Sequence, residues 1–281
     1  MKIKVLTGIF LVCASFVSAQ EMSEYIASGD VAFVDGDFAK AKQFYEKAQS
    51  LDTDNVDYLT AKQLGLCCQQ LNQPDQALNY FKQSVLKGCD DKSLLTKMKQ
   101  CAESIKCVDC LEKAYEEING VMPQWNTLMQ EKLFYVYSSQ NNSTKALKAA
   151  SEVLAKKPDS FVMLRNVGLL WNGMNKTDSA IYYLDKAYQV KADDETVNKT
   201  LGLLYYRFCE SEMKAANQRY ERIQNKGRSQ YNTLLYNRQN LAKKYYPKSI
   251  LHLTEANKTL NDPELNKLIV RMKGNLSSYQ K

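Results

Sequence analysis

A spacing of about 34 residues recurs along this 281-residue chain and constrains its fold more than any other feature. Gly29, Ala41, Tyr45 and Ala48 set the pattern. A small residue is followed about twelve positions on by alanine, then by an aromatic or leucine four later, then by another small residue. Gly65, Ala77, Phe81 and Ser84 repeat it, as do Gly168, Ala180, Leu184 and Ala187. Gly168 and Gly202 lie one such period apart, and so do Ala146 and Ala180. A fixed period of this length means a stacked array of units that bury their apolar faces against neighbours. Small residues suit the points where two antiparallel helices cross. Aromatics and leucines three and four positions away share that face and fill the wedge to the next pair. Turn signals fall between the two helices of each unit, at Asp35-Gly36-Asp37, Asn72-Gln73-Pro74-Asp75, Asn141-Asn142-Ser143 and Asn175-Lys176-Thr177-Asp178. Their Asp, Ser and Thr side chains suit helix N-caps. With only 11 Gly and 5 Pro, a turn-rich sandwich or barrel is disfavoured.

The residues that carry this period resemble the tetratricopeptide-repeat (TPR) family. The resemblance implies an all-α fold, a right-handed α-α superhelix of about seven helical hairpins plus a C-terminal capping helix. The expected units are 22–55, 58–91, 92–124, 127–160, 161–194, 195–228 and 230–263, with the cap at 264–281. The third fits poorly, with Leu111, Tyr115 and Ile118 in place of the Ala-aromatic-Ala run. The sixth departs through Ala215-Ala216 and a longer second helix, and the seventh puts Asn237 and Ser249 where Gly and Ala are usual. HEAT-like arrays are the alternative, but their units run to about 40 residues or more.

Residues 1–19 read as a signal peptide: Lys2 and Lys4, an uncharged stretch from Val5 to Val17, then Val17-Ser18-Ala19 before Gln20. That stretch is too short to span a bilayer, which takes about 20 residues. Cys13 lacks the small preceding residue of a lipoprotein site, so cleavage after Ala19 is expected. The mature chain, with no transmembrane segment, would be periplasmic, secreted or associated with the cell surface. Losing Lys2 and Lys4 leaves 36 basic against 31 acidic residues, too mild a surplus to indicate nucleic-acid binding.

His252 is the single histidine, which removes most general-base and metal chemistry. No catalytic residue, metal site or cofactor is expected. Cys67, Cys68, Cys101, Cys107 and Cys110 converge toward the turn edges of the second and third units. They are the disulfide candidates, with inert buried thiols as the alternative. Cys107-Val108-Asp109-Cys110 also has the spacing of redox motifs and zinc half-sites. No βαβ pattern or second close Cys/His pair accompanies it.

In the family it resembles, the first helices of successive units line a concave groove that receives a partner segment. By spacing, Phe33, Lys62, Gln69, Glu131, Tyr135 and Asn172 fall on that inward face. So do the partner-binding candidates Arg165, Lys199, Tyr206, Arg207, Tyr231 and Arg238, which recur as a stripe of cations interleaved with tyrosine. Arginine and tyrosine are common interface anchors, and such a stripe suits a partner carrying Asp, Glu or a terminal carboxylate. The carboxylate clamp of chaperone-binding repeats is not reproduced. The leading expectation is a non-catalytic exported adaptor for a protein or peptide segment. A glycan- or peptide-uptake component and a thiol-active protein using Cys107 and Cys110 are the alternatives.

Overall fold

The computed structural model describes residues 19–51 and 57–278, and the expected signal peptide lies outside the described residues except for Ala19. Among the described residues every regular element is helical, with thirteen α-helices and one 3₁₀ turn, Pro123–Trp125. The first compact unit ends at Asn142 and the second begins at Ser143. The expected fourth hairpin, 127–160, is therefore divided between them.

The first unit contains α1 (19–34), α2 (Phe38–Leu51), α3 (Tyr58–Gln70), α4 (Pro74–Leu86), α5 (Ser93–Ser104), α6 (Val108–Val121) and α7 (Asn126–Ser139). Local chemistry sets the ends. Asp37 Oδ1 accepts the Lys40 amide at 3.0 Å and Asp57 Oδ1 accepts that of Thr60 at 2.8 Å. Pro74 opens α4, where its missing N–H costs nothing. First helices close through one left-handed residue each, at Gly36, Asn72, Lys106 and Asn141, with φ between 54° and 79°. Asn and Gly tolerate that conformation and Lys does so at a cost, which is why the third turn has no recognisable signature. In the core, a Cβ placed on Gly29 would lie 2.6 Å from the Tyr45 ring, and one on Gly65 would lie 2.5 Å from Phe81. Each second-helix aromatic thus occupies the space a first-helix side chain would need. The third pair differs: Tyr115 is buried and donates its hydroxyl to the Leu95 carbonyl at 2.9 Å.

The second unit contains α8 (Ser143–Lys156), α9 (Phe161–Gly173), α10 (Thr177–Val190), α11 (Glu195–Glu221), α12 (Arg228–Leu260) and α13 (Pro263–Ser278). Asn175, at φ 57°, turns the chain between α9 and α10, and Gly168 packs on Leu184 as Gly29 packs on Tyr45.

The expected units 195–228 and 230–263 are corrected by the structure. Each is a single long helix, of 27 and 33 residues. No Gly or Pro occurs between Leu203 and Tyr220 to halt α11, and the left-handed turn due near residue 209 is absent because Cys209 sits inside the helix. Gly202 instead packs on Leu253. Ser249, Leu253 and Ala256, all buried, repeat the spacing of Ala180, Leu184 and Ala187. One repeat is therefore formed by the start of α11 and the end of α12. Gly202 and Leu253 stand much farther apart in sequence than Gly168 and Leu184, so a segment about one repeat long is inserted in the turn. Helix α13 covers this pair through Leu265, Ile269 and Met272.

A polar knot joins the two halves of that split repeat. Asn198 is buried, donates to the carbonyls of Ala192 (2.7 Å) and Asp194 (3.1 Å), and places Oδ1 2.9 Å from His252 Nδ1. Ser249 Oγ donates to the Gly202 carbonyl at 2.7 Å. Burial pushes the His252 pKa below its usual 6.5, against an opposing pull from Asp185. The unfolded chain then binds the proton first, so stability is retained above about pH 6.5 and falls as pH drops toward the folded value. Thermal denaturation at pH 7.5 and 5.0 checks this: the loss on acidification should shrink in His252→Asn.

Candidate functional site

Of the cations expected as one stripe, two are bound to neighbours within the second unit. Arg165 on α9 is committed to Asp194, with Nη1 3.3 Å from Oδ2 and its guanidinium over the Phe161 ring at 5.4 Å. Asp194 also caps α11 by accepting the Val197 amide at 2.9 Å, so Arg165 braces the α9–α11 junction. Arg207 on α11 is exposed, and its Nη2 donates to Asn172 Oδ1 of α9 at 3.1 Å. These two line a cleft of about 580 Å³ with Thr177, Asp178, Phe208 and Glu212. The start of α10 and the Glu212 side of α11 were not legible as site residues, because they lie off the first-helix spacing.

Tyr206 lies outside that cleft. Its ring stacks on Tyr246 at 6.4 Å, and Arg271 of α13 covers it and donates to its hydroxyl. Tyr231 sits near the start of α12 beside Tyr220, 48 % exposed. Arg238 is half-buried with an unbonded Nε, and Lys199 is half-buried on α11. Arg207 is thus bound to Asn172, Arg165 to Asp194, and Tyr206 is covered by Tyr246 and Arg271.

In the first unit, two inward-face residues are engaged within the chain. Lys62 Nζ lies 2.7 Å from Asp91, and this contact with the Ser93 bonds holds the Asp91 carboxyl at about 2. Gln69 accepts from Lys97. A second cleft, of about 660 Å³, opens where α5, α6 and α7 meet. Ala102, Leu111, Tyr115 and Val136 give it an apolar lining, Val108 (41 % exposed) and Tyr135 (47 %) stand at its surface, and Lys99, Lys106 and Lys132 are in its wall.

Beside that cleft, Cys107 and Cys110 are joined, with Cα atoms 5.3 Å apart. Cys107 is the N-cap of α6, where its sulfur accepts the Cys110 amide at 3.2 Å. Cys67, Cys68 and Cys101, like Cys89 and Cys209, are buried free thiols. Burial raises the thiol pKa of Cys67 to about 12 and shifts Cys68 and Cys101 upward, which keeps them protonated and poorly nucleophilic. Denatured but unreduced protein should therefore show two fewer reactive thiols than fully reduced protein. Equal counts would place all the cysteines in the thiol form. Among the described residues no group of three or more His, Cys, Asp or Glu is placed to hold a metal ion, and no helix is long and apolar enough to cross a membrane.

The tetratricopeptide-repeat family model matches residues 25–55, which contain α1 from Tyr25 onward and α2. A protein from Bacteroides ovatus, solved as a candidate protein-binding protein, is 20 % identical. The alignment spans 79 % of this chain and 100 % of that one, with a TM-score of 0.51. A tetratricopeptide repeat protein from Parabacteroides merdae is 13 % identical, with 90 % and 98 % covered and a TM-score of 0.45. YrrB, described as a TPR protein with an unusual peptide-binding site, is 16 % identical, with 62 % and 88 % covered and a TM-score of 0.43. No curated protein matches the sequence. Residues 25–55 thus match a tetratricopeptide repeat, and the likeness to the Bacteroides ovatus structure is one of helical-repeat fold. The chain's clearest single repeat, at 25–55, is the one the family model matches.

Proposed function

We propose that the protein is a non-catalytic, exported adaptor that holds a protein or peptide segment against the first helices of its repeats. One observation carries this reading: both clefts described above draw on two consecutive first helices, α5 and α7 or α9 and α11, together with the second helix between them, α6 or α10. Each combines apolar surface with cations, at Tyr135, Val136 and Lys132 in one and Phe208 and Arg207 in the other. An extended segment can set apolar side chains into such openings and carboxylates against the cations. Export is supported by the leader-like residues 1–19, and the joined Cys107–Cys110 pair suits an oxidising compartment.

Arg165→Ala is a poor probe, because it frees the capping carboxylate of Asp194. Arg207→Glu is a better one, since its bond to Asn172 is exposed and contributes little to stability. Affinity capture from an envelope fraction, followed by identification of the partner, is expected to yield a protein retained by the wild type and lost by Arg207→Glu at unchanged helicity. Capture that survives the substitution would move the binding surface away from α9 and α11.

A further inference from the structure

The segment inserted into the split repeat, about 210–244, forms the distal halves of α11 and α12 and the turn between them. From residue 217 to residue 241 none is buried, so this arm contributes surface rather than core. Its composition is extreme. Residues 210–244 hold eight of the 38 Lys and Arg but three of the 31 Asp and Glu, against 30 and 28 in the rest of the chain. Five of the seven formal surplus charges reside on the arm. Two of its carboxylates, Glu210 and Glu212, lie at its base, Glu210 accepting from Tyr246; the third, Glu221, is taken by Lys226, which also lies over the Tyr220 ring at 5.5 Å. Arg222, Lys226 and Arg228 crowd the turn. Ile223 (36 % exposed) and Tyr231 (48 %) stand near them, and Tyr236 (64 %) is exposed about two turns farther along α12.

We propose that this arm docks on an anionic phospholipid surface with its turn foremost. Lysine and arginine near such a surface each add attraction, and tyrosine favours the boundary between headgroups and acyl chains. The cleft of about 540 Å³ between α11 and α12 could take an acidic peptide instead, but only Arg219 and Lys244 of the eight cations line it. A surface meeting the turn engages Arg222, Lys226 and Arg228 together. It also gives the aliphatic Ile223 an apolar environment that a nucleic-acid backbone would not.

The test is co-sedimentation of the full chain with vesicles of phosphatidylcholine, alone or with about 30 mol % phosphatidylglycerol to give the strongly negative surface that basic segments recognise. Binding is expected to the anionic vesicles only. It should weaken at least tenfold in R222E/K226E/R228E and a few-fold in Tyr236→Ser, and persist in the charge-matched first-unit variant K99E/K106E/K132E. Far-UV circular dichroism and melting should be unchanged in each variant, because these side chains lie outside the core. Equal binding to neutral vesicles would overturn the proposal, as would retained binding by the arm variant or no effect of Tyr236→Ser. Tighter binding to poly-L-glutamate or duplex DNA than to vesicles, at equal anionic charge, would overturn it as well. Arg207→Glu should leave vesicle binding intact, which separates this surface from the partner segment of the adaptor reading.

Discussion

Replacing Gly202 with valine is expected to cost the second unit about 3 kcal/mol or more, since overpacking a rigid contact is typically worth about 1–3 kcal/mol and this contact includes backbone. A Cβ at this position would lie 2.5 Å from Leu253 Cγ and 3.0 Å from the Leu253 amide nitrogen. The side chain could change rotamer, but the backbone atom could move only if α12 shifted against α11. A fall of roughly 10 °C in the melting of that unit corresponds to this cost. Gly274→Ala in α13 is the control. No atom lies within 4 Å of the added methyl, so the helix should gain about 0.5–1 kcal/mol from the better helix former. A valine at 202 with unchanged melting would mean that α11 and α12 do not meet there, and the split repeat would have to be abandoned.

Asn198→Leu is the second large effect. Removing the amide frees the carbonyl of Ala192, an exposed residue, leaves that of Asp194 with the residue-198 backbone amide alone, and leaves His252 Nδ1 without its partner in a buried site. An unsatisfied buried group costs roughly 1–3 kcal/mol, so the ring nitrogen together with the lost amide bonds gives an expected loss of about 3 kcal/mol. The sign of the coupling is also specified. His252→Leu removes the stranded ring nitrogen, so the double variant should be less destabilised than the sum of the two single variants. Chemical denaturation of the four proteins measures this directly. Strict additivity would show that Asn198 and His252 do not share a bond.

The array was legible in the sequence wherever each small residue met its large partner at short range. Gly29 with Tyr45, Gly65 with Phe81 and Gly168 with Leu184 each lie within one hairpin, bridged by a turn whose Gly or Asn accepts positive φ. The third turn was obscure because Lys106 takes that conformation. The split repeat was misread for a physical reason. Gly202 extends the period, but its partner Leu253 lies beyond the inserted segment, whose helices keep a spacing close enough to mimic further units. The partners of the expected stripe were likewise hidden. Periodicity places Arg165, Arg207 and Arg238 on corresponding faces but says nothing of Asp194 or Asn172, whose bonds decide which arginine is exposed for a partner. The charge of the arm was visible in composition all along. It was averaged into a mild +7 because the rest of the chain is nearly balanced, with 30 basic and 28 acidic residues.

The adaptor reading is tested most directly by the affinity of the captured partner for the wild type and for Arg207→Glu, measured by titration at fixed salt with melting curves recorded alongside. The account predicts at least tenfold weaker binding, about 1.4 kcal/mol by the standard conversion, with unchanged melting. It also predicts an undiminished affinity in R222E/K226E/R228E, whose charges lie on the arm. Equal affinities for the wild type and Arg207→Glu would contradict it.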